Sequence, residues 1–583
     1  MKRLLSGNEA MAWGAWEAGV VFAAGYPGTP ATEILENIAR RKEVDAQWAA
    51  NEKVAFEEVM GAAIGGVRAL VAVKHVGLNV AADSFMVFPY AGTNAGFVVI
   101  SSDDPGAYSS QNEQDNRYFA KFGKVPLLEP SDAQECHDLI VKAFDISEQF
   151  KTPVMLRTTM RINHTKCLVE VGERQEREKK QYHRDPTKWS VPNYCRSLRP
   201  ILEEKQHELA AYSESFEGNF VELNSDEVGI ITSGICYCYA KEAMPDASFF
   251  KLGMTYPLPK QKIIDFCERF EKVYIVEEGE PFLEEQIRAF GVTNVVGKEL
   301  FTNVLDLSPD LVAKGLLGTE VKGDFSKEIG ILTRPPQLCV GCSHRGVFFT
   351  LRKLDVLATG DIGCYSLGSQ PPFSAQHTIF CMGAGIANAF GFEKAGTKDV
   401  VSLIGDSTFI HAGIPPLIDM VYNKSKGTVI ILDNDTTGMT GHQEHPSSGR
   451  TLKGEEAKEL NIEQLCKVIG VEYVKQVDPY NLDETEKTIR EAMAFPGAAV
   501  VIAKRPCLLM RGERNKKRIP YVVNDECVGC GVCYQIDCPA LSEGPDGLAV
   551  IDAISCAGCG MCASLCPTRA IVLSASDRGL KGC

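Results

Sequence analysis

Eight cysteines near the end of this chain fall into two near-identical runs, Cys527, Cys530, Cys533 and Cys538-Pro539, then Cys556, Cys559, Cys562 and Cys566-Pro567. Thiolates at every third position let one tight loop present several sulfurs to a single group, and the proline after the fourth cysteine turns the chain away. This is ligand spacing for two 4Fe-4S clusters. A zinc ribbon or a disulfide knot is the competing reading, but neither calls for two runs that each end in Cys-Pro. The runs form an internal repeat: the first three cysteines recur at one constant spacing and the fourth one residue short of it. The tail is therefore expected to be a small electron-carrying domain.

That tail resembles the two-cluster ferredoxins, in which the fourth cysteine of each run ligates the other cluster. The resemblance implies the sets Cys527, Cys530, Cys533 with Cys566, and Cys556, Cys559, Cys562 with Cys538. The remaining chain is far larger. A length of 583 residues with 45% hydrophobic and 23% charged content implies a globular protein of several domains. No apolar run reaches the length of a membrane span, and Ser6-Gly7-Asn8-Glu9 interrupts any signal-peptide core after Lys2-Arg3. With 21 cysteines and no export signal, the chain is expected in the reducing cytoplasm of an anaerobe, its thiols available for iron. A net charge of −15 argues against a nucleic-acid surface. The basic run Arg511 to Arg518 reads as a solvated linker, with a docking patch as the alternative.

Helical and strand-like stretches alternate over most of the length, which is α/β patterning. In the first region, Asn8 to Ala18 and the long Asn51 to Ala69 read as helices, and Ala69 to Val73 and Gly96 to Ile100 as buried strands. The charged stretch Glu170 to Lys188 breaks the pattern and places a boundary near 190. New units follow with Val228 to Thr232, Phe249 to Lys251 and Val273 to Val276 as strands, and a third region starts around Thr333-Arg334-Pro335-Pro336. The expected domains are 1–190, 191–328, 329–510 and the tail, 519–583.

In the third region, the apolar strand Val400 to Ile404 ends in Gly405-Asp406-Ser407, a helical stretch follows, and a second strand, Thr428 to Leu432, ends in Asp433-Asn434-Asp435. That order sets Asp406 and Asn434 at the carboxyl ends of two parallel strands, where open α/β sheets bind ligands. Two oxygen donors suit Mg²⁺ when phosphates complete its shell. The stretch resembles the thiamine diphosphate signature, a GDG or GDS with Asn nearly thirty residues on. That likeness implies Gly405, allowing close approach of a diphosphate, Asp406, Ser407 and Asn434 as cofactor contacts, with the carbonyl of Thr436 as a further Mg²⁺ ligand. Such enzymes take a glutamate from another domain to activate the aminopyrimidine ring. Asn51-Glu52-Lys53 offers Glu52 at the start of a helix, with Glu57 next in line. An ordinary helix-terminal charge is the alternative for Glu52.

Taken together, these segments resemble the 2-oxoacid:ferredoxin oxidoreductases over essentially the whole chain. Gly25-Tyr26-Pro27-Gly28-Thr29-Pro30 is similar to the family's YPxTP turn, and Lys74-His75-Val76-Gly77-Leu78-Asn79 to a cofactor-facing stretch. Asp103-Asp104-Pro105-Gly106 and Ser109 to Asp115 are similar to its DDPGAHSSQNEQD segment, with Tyr108 where the family has His. The resemblance implies two thiamine-diphosphate-binding α/β domains, pyrimidine-type in 1–190 and diphosphate-type in 329–510, a transketolase C-terminal-like α/β domain between them, and the α+β ferredoxin domain. It implies the activating role for Glu52, a substrate-carboxylate contact for Thr29, and either proton transfer, a polar substrate contact or a structural role for His75. Cysteines at comparable landmarks in relatives hold a cluster close to the thiamine, which points to Cys339, Cys342, Cys364 and Cys507 as a proximal 4Fe-4S site. Small packing residues are the alternative there.

The implied reaction is oxidative decarboxylation of a 2-oxoacid, with coenzyme A taking the acyl group and ferredoxin the electrons. Gly28 stands where many relatives acting on small oxoacids have Ile, and the whole chain is most similar to the large subunits acting on aryl pyruvates such as indolepyruvate and phenylpyruvate. The alternatives are the same chemistry on phenylglyoxylate, a branched-chain oxoacid or pyruvate, a non-oxidative thiamine decarboxylase, and a pure electron-transfer subunit. A gamma-type domain of the family is absent from the chain, which implies a small beta subunit of roughly 200 residues and an alpha2beta2 assembly.

Overall fold

The computed structural model describes residues 1–318 and 335–574. The expected boundary near 328 and residues 575–583 of the tail lie outside them. The chain divides into two compact units, Met1–Ile331 with Leu452–Gly454, and Leu332–Thr451 with Glu455–Cys583.

The first unit is built on a seven-stranded sheet in the order Met254–Tyr256, Leu127–Leu128, Val154–Thr159, Phe97–Asp103, Ala69–Lys74, Phe22–Gly25, Asp45–Trp48. All pairings are parallel except that of Met254–Tyr256 with Leu127–Leu128. The near-continuous apolar runs follow from burial on both faces. Leu70, Val98 and Leu156 point into one core, with helices Gly7–Glu17 and Ala133–Phe150 over it. Val71, Val99 and Met155, one residue along each strand, point into the other core, with Glu52–Ile64 and Ala82–Ala91. A second sheet of five strands runs Val295–Val296, Val273–Val276, Gly229–Ser233, Ser248–Leu252, Phe220–Glu222, antiparallel only at the last.

Two differences from the sequence expectation have local causes. The helix expected over Asn51 to Ala69 stops at Ile64, because Gly65-Gly66 follows and Gly66 sits at φ +103°, so Ala69 begins a strand instead. Met254–Tyr256 comes from the region expected to form the second domain yet pairs with the first sheet.

The second unit has a six-stranded, all-parallel sheet in the order Thr378–Ile379, Leu357–Gly360, Val400–Gly405, Thr428–Asp433, Ala499–Lys504, Tyr473–Val477. The tail adds two short antiparallel pairs, Tyr521–Val523 with Ile571–Leu573 and Leu541–Glu543 with Ala549–Ile551. Among the described residues no helix is long and apolar enough to cross a membrane.

Candidate active site and cluster sites

In the first unit the predicted residues gather at the carboxyl edge of the seven-stranded sheet. Glu52 opens its helix with Asn51 as the cap, whose side chain accepts the Val54 N–H at 2.9 Å. Its side chain is buried, and a Cβ on Gly77 would fall 2.7 Å from its Cγ and Oε1, so the glycine makes room for the carboxylate. Glu57 differs: it is partly exposed and paired with Lys53 at 2.5 Å and Ser84 at 2.7 Å. Thr29 is half-buried in the turn after Phe22–Gly25. The His75 ring is fully buried, with Nε2 at 3.2 Å from the Asn112 carbonyl, and burial pushes its pKa down. Sequence reasoning passed over Lys74. Its side chain is buried, burial pulls its pKa down to about 8 against the pull of Asp104, and its stem lies 3.0 Å from where a Gly28 Cβ would be. The Lys74 stem thus borders the position of a Gly28 side chain.

The aspartates of the segment Asp103 to Asp115 are held by this unit's own groups. Asp103 and Glu129 each meet Arg157 at 2.6 Å, and Arg117 joins Asp115 at 2.5 Å and Glu277 at 2.8 Å. Asp104 accepts from Ser109 N–H at 2.8 Å and Ser110 Oγ at 2.6 Å, shaping the loop.

In the second unit, Gly405 pairs with Leu432, so Asp406 and Asn434 emerge side by side from neighbouring strands. Both are buried. Asp406 accepts the Asn434 N–H at 3.1 Å and the Ser407 N–H at 2.8 Å, and His445 Nε2 lies 3.4 Å from its Oδ2. Burial opposes charge on His445, but Asp406 outweighs it and the pKa rises. Thr436 donates its N–H to Asn434 Oδ1 at 3.3 Å, and Thr437 Oγ1 donates to Ser407 Oγ at 2.9 Å. At Gly405 a Cβ would also meet the Tyr365 ring at 2.8 Å. Burial, then the adjacent Asp406 carboxylate, push Asp433 up to about 7. Burial likewise lifts Asp361 to about 7, although Tyr365 and the Gly383 N–H donate to it. A buried, oxygen-rich and incompletely neutralised edge fits a hard divalent cation, with Asp406 and Asn434 as first donors.

Cys364 and Cys507 border this edge, with Cys339 and Cys342 within their electrostatic reach. Cys339 and Cys342 share a tight turn, Cys342 N–H donating to Cys339 O at 3.1 Å. Cys364 Sγ lies 3.3 Å from the Cβ direction of Gly438, beside Asn434, and Cys507 N–H donates to Asn434 O at 3.0 Å. Burial first, then the neighbouring cysteines, push Cys342 and Cys364 up to about 12 and raise Cys507, which places the four within each other's fields. Such thiols ionise only with a metal or another cation to compensate them.

The tail holds two further thiol-lined cavities. One is bordered by Cys527, Cys530, Cys533 and Cys566, the other by Cys538, Cys556, Cys559 and Cys562. Gly529 and Gly558 occupy equivalent places in the two loops at φ +67°, a conformation that only glycine adopts readily. Backbone N–H groups of Ala570 and Tyr521 reach Cys566 Sγ at 3.2 Å and Cys556 Sγ at 3.5 Å, as sulfurs of a cluster are commonly tuned. Among the described residues no cysteine is in a disulfide, and no three His, Cys, Asp or Glu converge on a single-ion site. Each cavity suits a polynuclear group whose thiolates stand apart.

Residues 13–227 match the family described as pyruvate flavodoxin/ferredoxin oxidoreductase, thiamine diP-binding. Residues 361–503 match the C-terminal TPP binding domain of thiamine pyrophosphate enzymes, and residues 549–572 the 4Fe-4S binding domain. The chain is 40% identical to indolepyruvate oxidoreductase subunit IorA of Archaeoglobus fulgidus, covering 98% of this chain and 97% of that one. It is 41% identical to the IorA of Methanothermobacter marburgensis, over 97% and 96%. The 2-oxoglutarate synthase subunit KorA of Methanothermobacter thermautotrophicus is 28% identical over 39% of this chain and 61% of its own.

Proposed function

Since the chain belongs to the indolepyruvate oxidoreductase IorA family, we propose that it is the catalytic subunit of a cytoplasmic enzyme that oxidatively decarboxylates aryl pyruvates, indolepyruvate and phenylpyruvate among them. The products are the aryl-acetyl-CoA, carbon dioxide and reduced ferredoxin. Asp406, Asn434 and the Thr436 carbonyl hold Mg²⁺, and Gly405 and Ser407 border the diphosphate. Bound thiamine diphosphate supplies the electron sink for loss of carbon dioxide, iron-sulfur clusters take the two electrons, and coenzyme A takes the acyl group. Glu52, buried against Gly77, holds a proton toward the aminopyrimidine ring. Thr29 contacts the substrate carboxylate. His75, enclosed and bonded to Asn112, orients the Lys74–Gly77 segment rather than moving a proton. A small beta subunit in an alpha2beta2 assembly completes the enzyme.

The observation that supports this reading is that Cys364 and Cys507 lie beside Asn434 with Cys339 and Cys342 in electrostatic reach, because a thiol site for a proximal cluster at the diphosphate edge favours electron removal over simple aldehyde release. Anaerobic assay of the complex with a panel of 2-oxoacids, coenzyme A and a viologen acceptor tests it. Acceptor-dependent acyl-CoA formation is expected; aldehyde formed without any acceptor would favour the non-oxidative decarboxylase. Iron analysis should give about twelve irons per chain, with Cys364→Ser losing about four of them. The aryl preference is tested by Gly28→Ile, which presses a branched group toward the Lys74 stem at an overpacking cost of about 1–3 kcal/mol. A larger loss on indolepyruvate than on pyruvate supports the aryl reading, and wild-type preference for pyruvate over every aryl pyruvate sinks it.

A further inference from the structure

The loop Cys339-Val340-Gly341-Cys342 serves two thiol sites. It lends two sulfurs to the set with Cys364 and Cys507, and Val340 and Gly341 form part of the wall of the tail cavity lined by Cys538, Cys556, Cys559 and Cys562. Gly341 lies at φ +66°, and a Cβ there would sit 2.6 Å from the Ala557 Cβ and 2.8 Å from Leu508 Cδ1. The two loops are therefore packed as closely as backbones allow.

Arg345 crosses this contact. Its side chain is fully buried, one turn after the loop, at the start of helix His344–Leu354. The guanidinium donates to the carbonyls of Leu338 and Cys339, the latter at 3.1 Å, and on its other side to those of Ile536, at 3.3 Å, and Asp537, immediately before Cys538. Among the described residues the carboxylate that meets it is Asp537, at 3.1 Å and 36% exposed. Tyr480 supports the same contact: its hydroxyl donates to Gly341 O at 2.5 Å, and its ring belongs to the apolar cluster around Leu482, Ile536 and Met561, which Cys538, Cys559 and Cys562 also join, with the Arg505 guanidinium 4.0 Å from it.

Burying an arginine against carbonyls and one solvated carboxylate costs several kcal/mol of desolvation, and apolar packing could join two loops without it. The charge matters when something negative is held on both sides. A reduced cluster with four thiolates carries one more negative charge than its oxidised form, so a fixed cation nearby favours the reduced state.

We propose that Arg345 is a positioning residue shared by two cluster sites, locking the Cys339–Cys342 loop to the Ile536–Cys538 turn with Tyr480 while its charge makes the groups held on either side easier to reduce. This rests on the reading that both thiol sets hold iron-sulfur clusters. Reduction here adds one electron per cluster, supplied by dithionite in the experiment; no bond is made or broken and no proton moves.

The test is a mediated dithionite titration of the anaerobically purified complex, followed by electron paramagnetic resonance, with iron counted in each variant. Arg345→Met is expected to lower the midpoint potentials of two signals and leave that of the Cys527 set in place, whereas Arg345→Lys restores them. Asp537→Asn, which keeps the shape at a partly exposed position, is expected to shift the same two signals the opposite way, upward, because it removes the carboxylate that opposes the guanidinium. A merely structural role predicts no such opposed pair. Potentials unmoved in Asp537→Asn, or lowered in it, overturn the proposal while full iron content leaves the cluster reading standing. About eight irons in the wild type, unaltered by Cys364→Ser, would instead remove the cluster reading on which it rests.

Discussion

The carboxyl edges of the two large parallel sheets treat their buried acids in different ways. In the first unit Asp103, Asp115 and Glu129 are answered by arginines from the same unit. Burial disfavours the charge on Asp115, yet Arg117 and Arg157 hold its pKa well below the usual carboxylate range. In the second unit Asp406 has His445, Asp433 shares Lys504 with Asp435, and Asp361 has hydroxyl and backbone N–H donors with His411 favouring its charge, yet burial leaves Asp361 and Asp433 near 7. The difference separates a finished structural network from an edge that awaits a cation. It also directs attention to Glu52 in the first unit, a buried acid whose carboxylate lies against the Gly77 backbone.

The strongest way to break the comparison is Asp406→Ala. If the second edge is the cation site, this variant should lose Mg²⁺-dependent thiamine diphosphate binding and all activity, while tail iron stays in place; calorimetric titration and iron analysis read the two separately. Unchanged cofactor affinity would mean that the edge is neutralised in some other way. Next comes Glu52→Gln, which keeps the shape and removes the acid. Turnover is expected to fall by about 10²–10⁴-fold with the cofactor still bound, and Glu57→Gln to change little, because Glu57 is committed to Lys53 and Ser84. The arginine network is tested by Arg157→Met, which strands Asp103 and Glu129 in the interior. A loss of about 3–5 kcal/mol in unfolding of the first unit is expected, without loss of iron. A near-neutral result in denaturant titration would show that these acids protonate and need no partner.

The parts of this arrangement that could be read in the sequence are the local ones. The tail cysteines announce themselves because each loop carries its own spacing, and the strands leading to Asp406 and Asn434 because an apolar run ending in Gly-Asp or Asp-Asn is a contiguous signal. Cys364 and Cys507 come together only because the strands Leu357–Gly360 and Ala499–Lys504 deliver them to one sheet edge, so they were visible through family landmarks and not through spacing. Arg157, Arg345, Asp361 and His445 gave no signal, since a buried charge and a solvated one look alike until partners from distant segments are placed around them. Gly28 and Gly405 show the same limit from the other side. Gly405 was legible as a glycine that allows close approach and Gly28 as a departure from the Ile of many relatives, but that Tyr365 and Lys74 lie against them is decided by tertiary packing.

The smallest effect tests the comparison through pH. Asp361 has a folded pKa raised by burial to about 7, above the roughly 3.9 of an exposed aspartate. The fold therefore prefers its neutral acid, and the stability this gives is present below the unfolded value and lost as pH rises through about 7. Asp115 runs the other way: its lowered folded pKa gives stability that is present above the unfolded value and lost only on strong acidification. In cofactor-free protein, the thermal unfolding midpoint of the second unit should thus fall between about pH 5.5 and about pH 8, and Asp361→Asn should flatten that slope, because an amide keeps the shape without a proton to lose. The first unit has an acid of its own in this window, Glu278, which burial lifts to about 7, so the difference between wild type and Asp361→Asn in the second unit, and not the slope of the first, isolates Asp361. Added Mg²⁺ and thiamine diphosphate should raise the midpoint at pH 8 in both forms. If wild type and Asp361→Asn share one slope, the acid is solvated or neutralised in solution, and the contrast between the two edges narrows to Asp406 and Asp433.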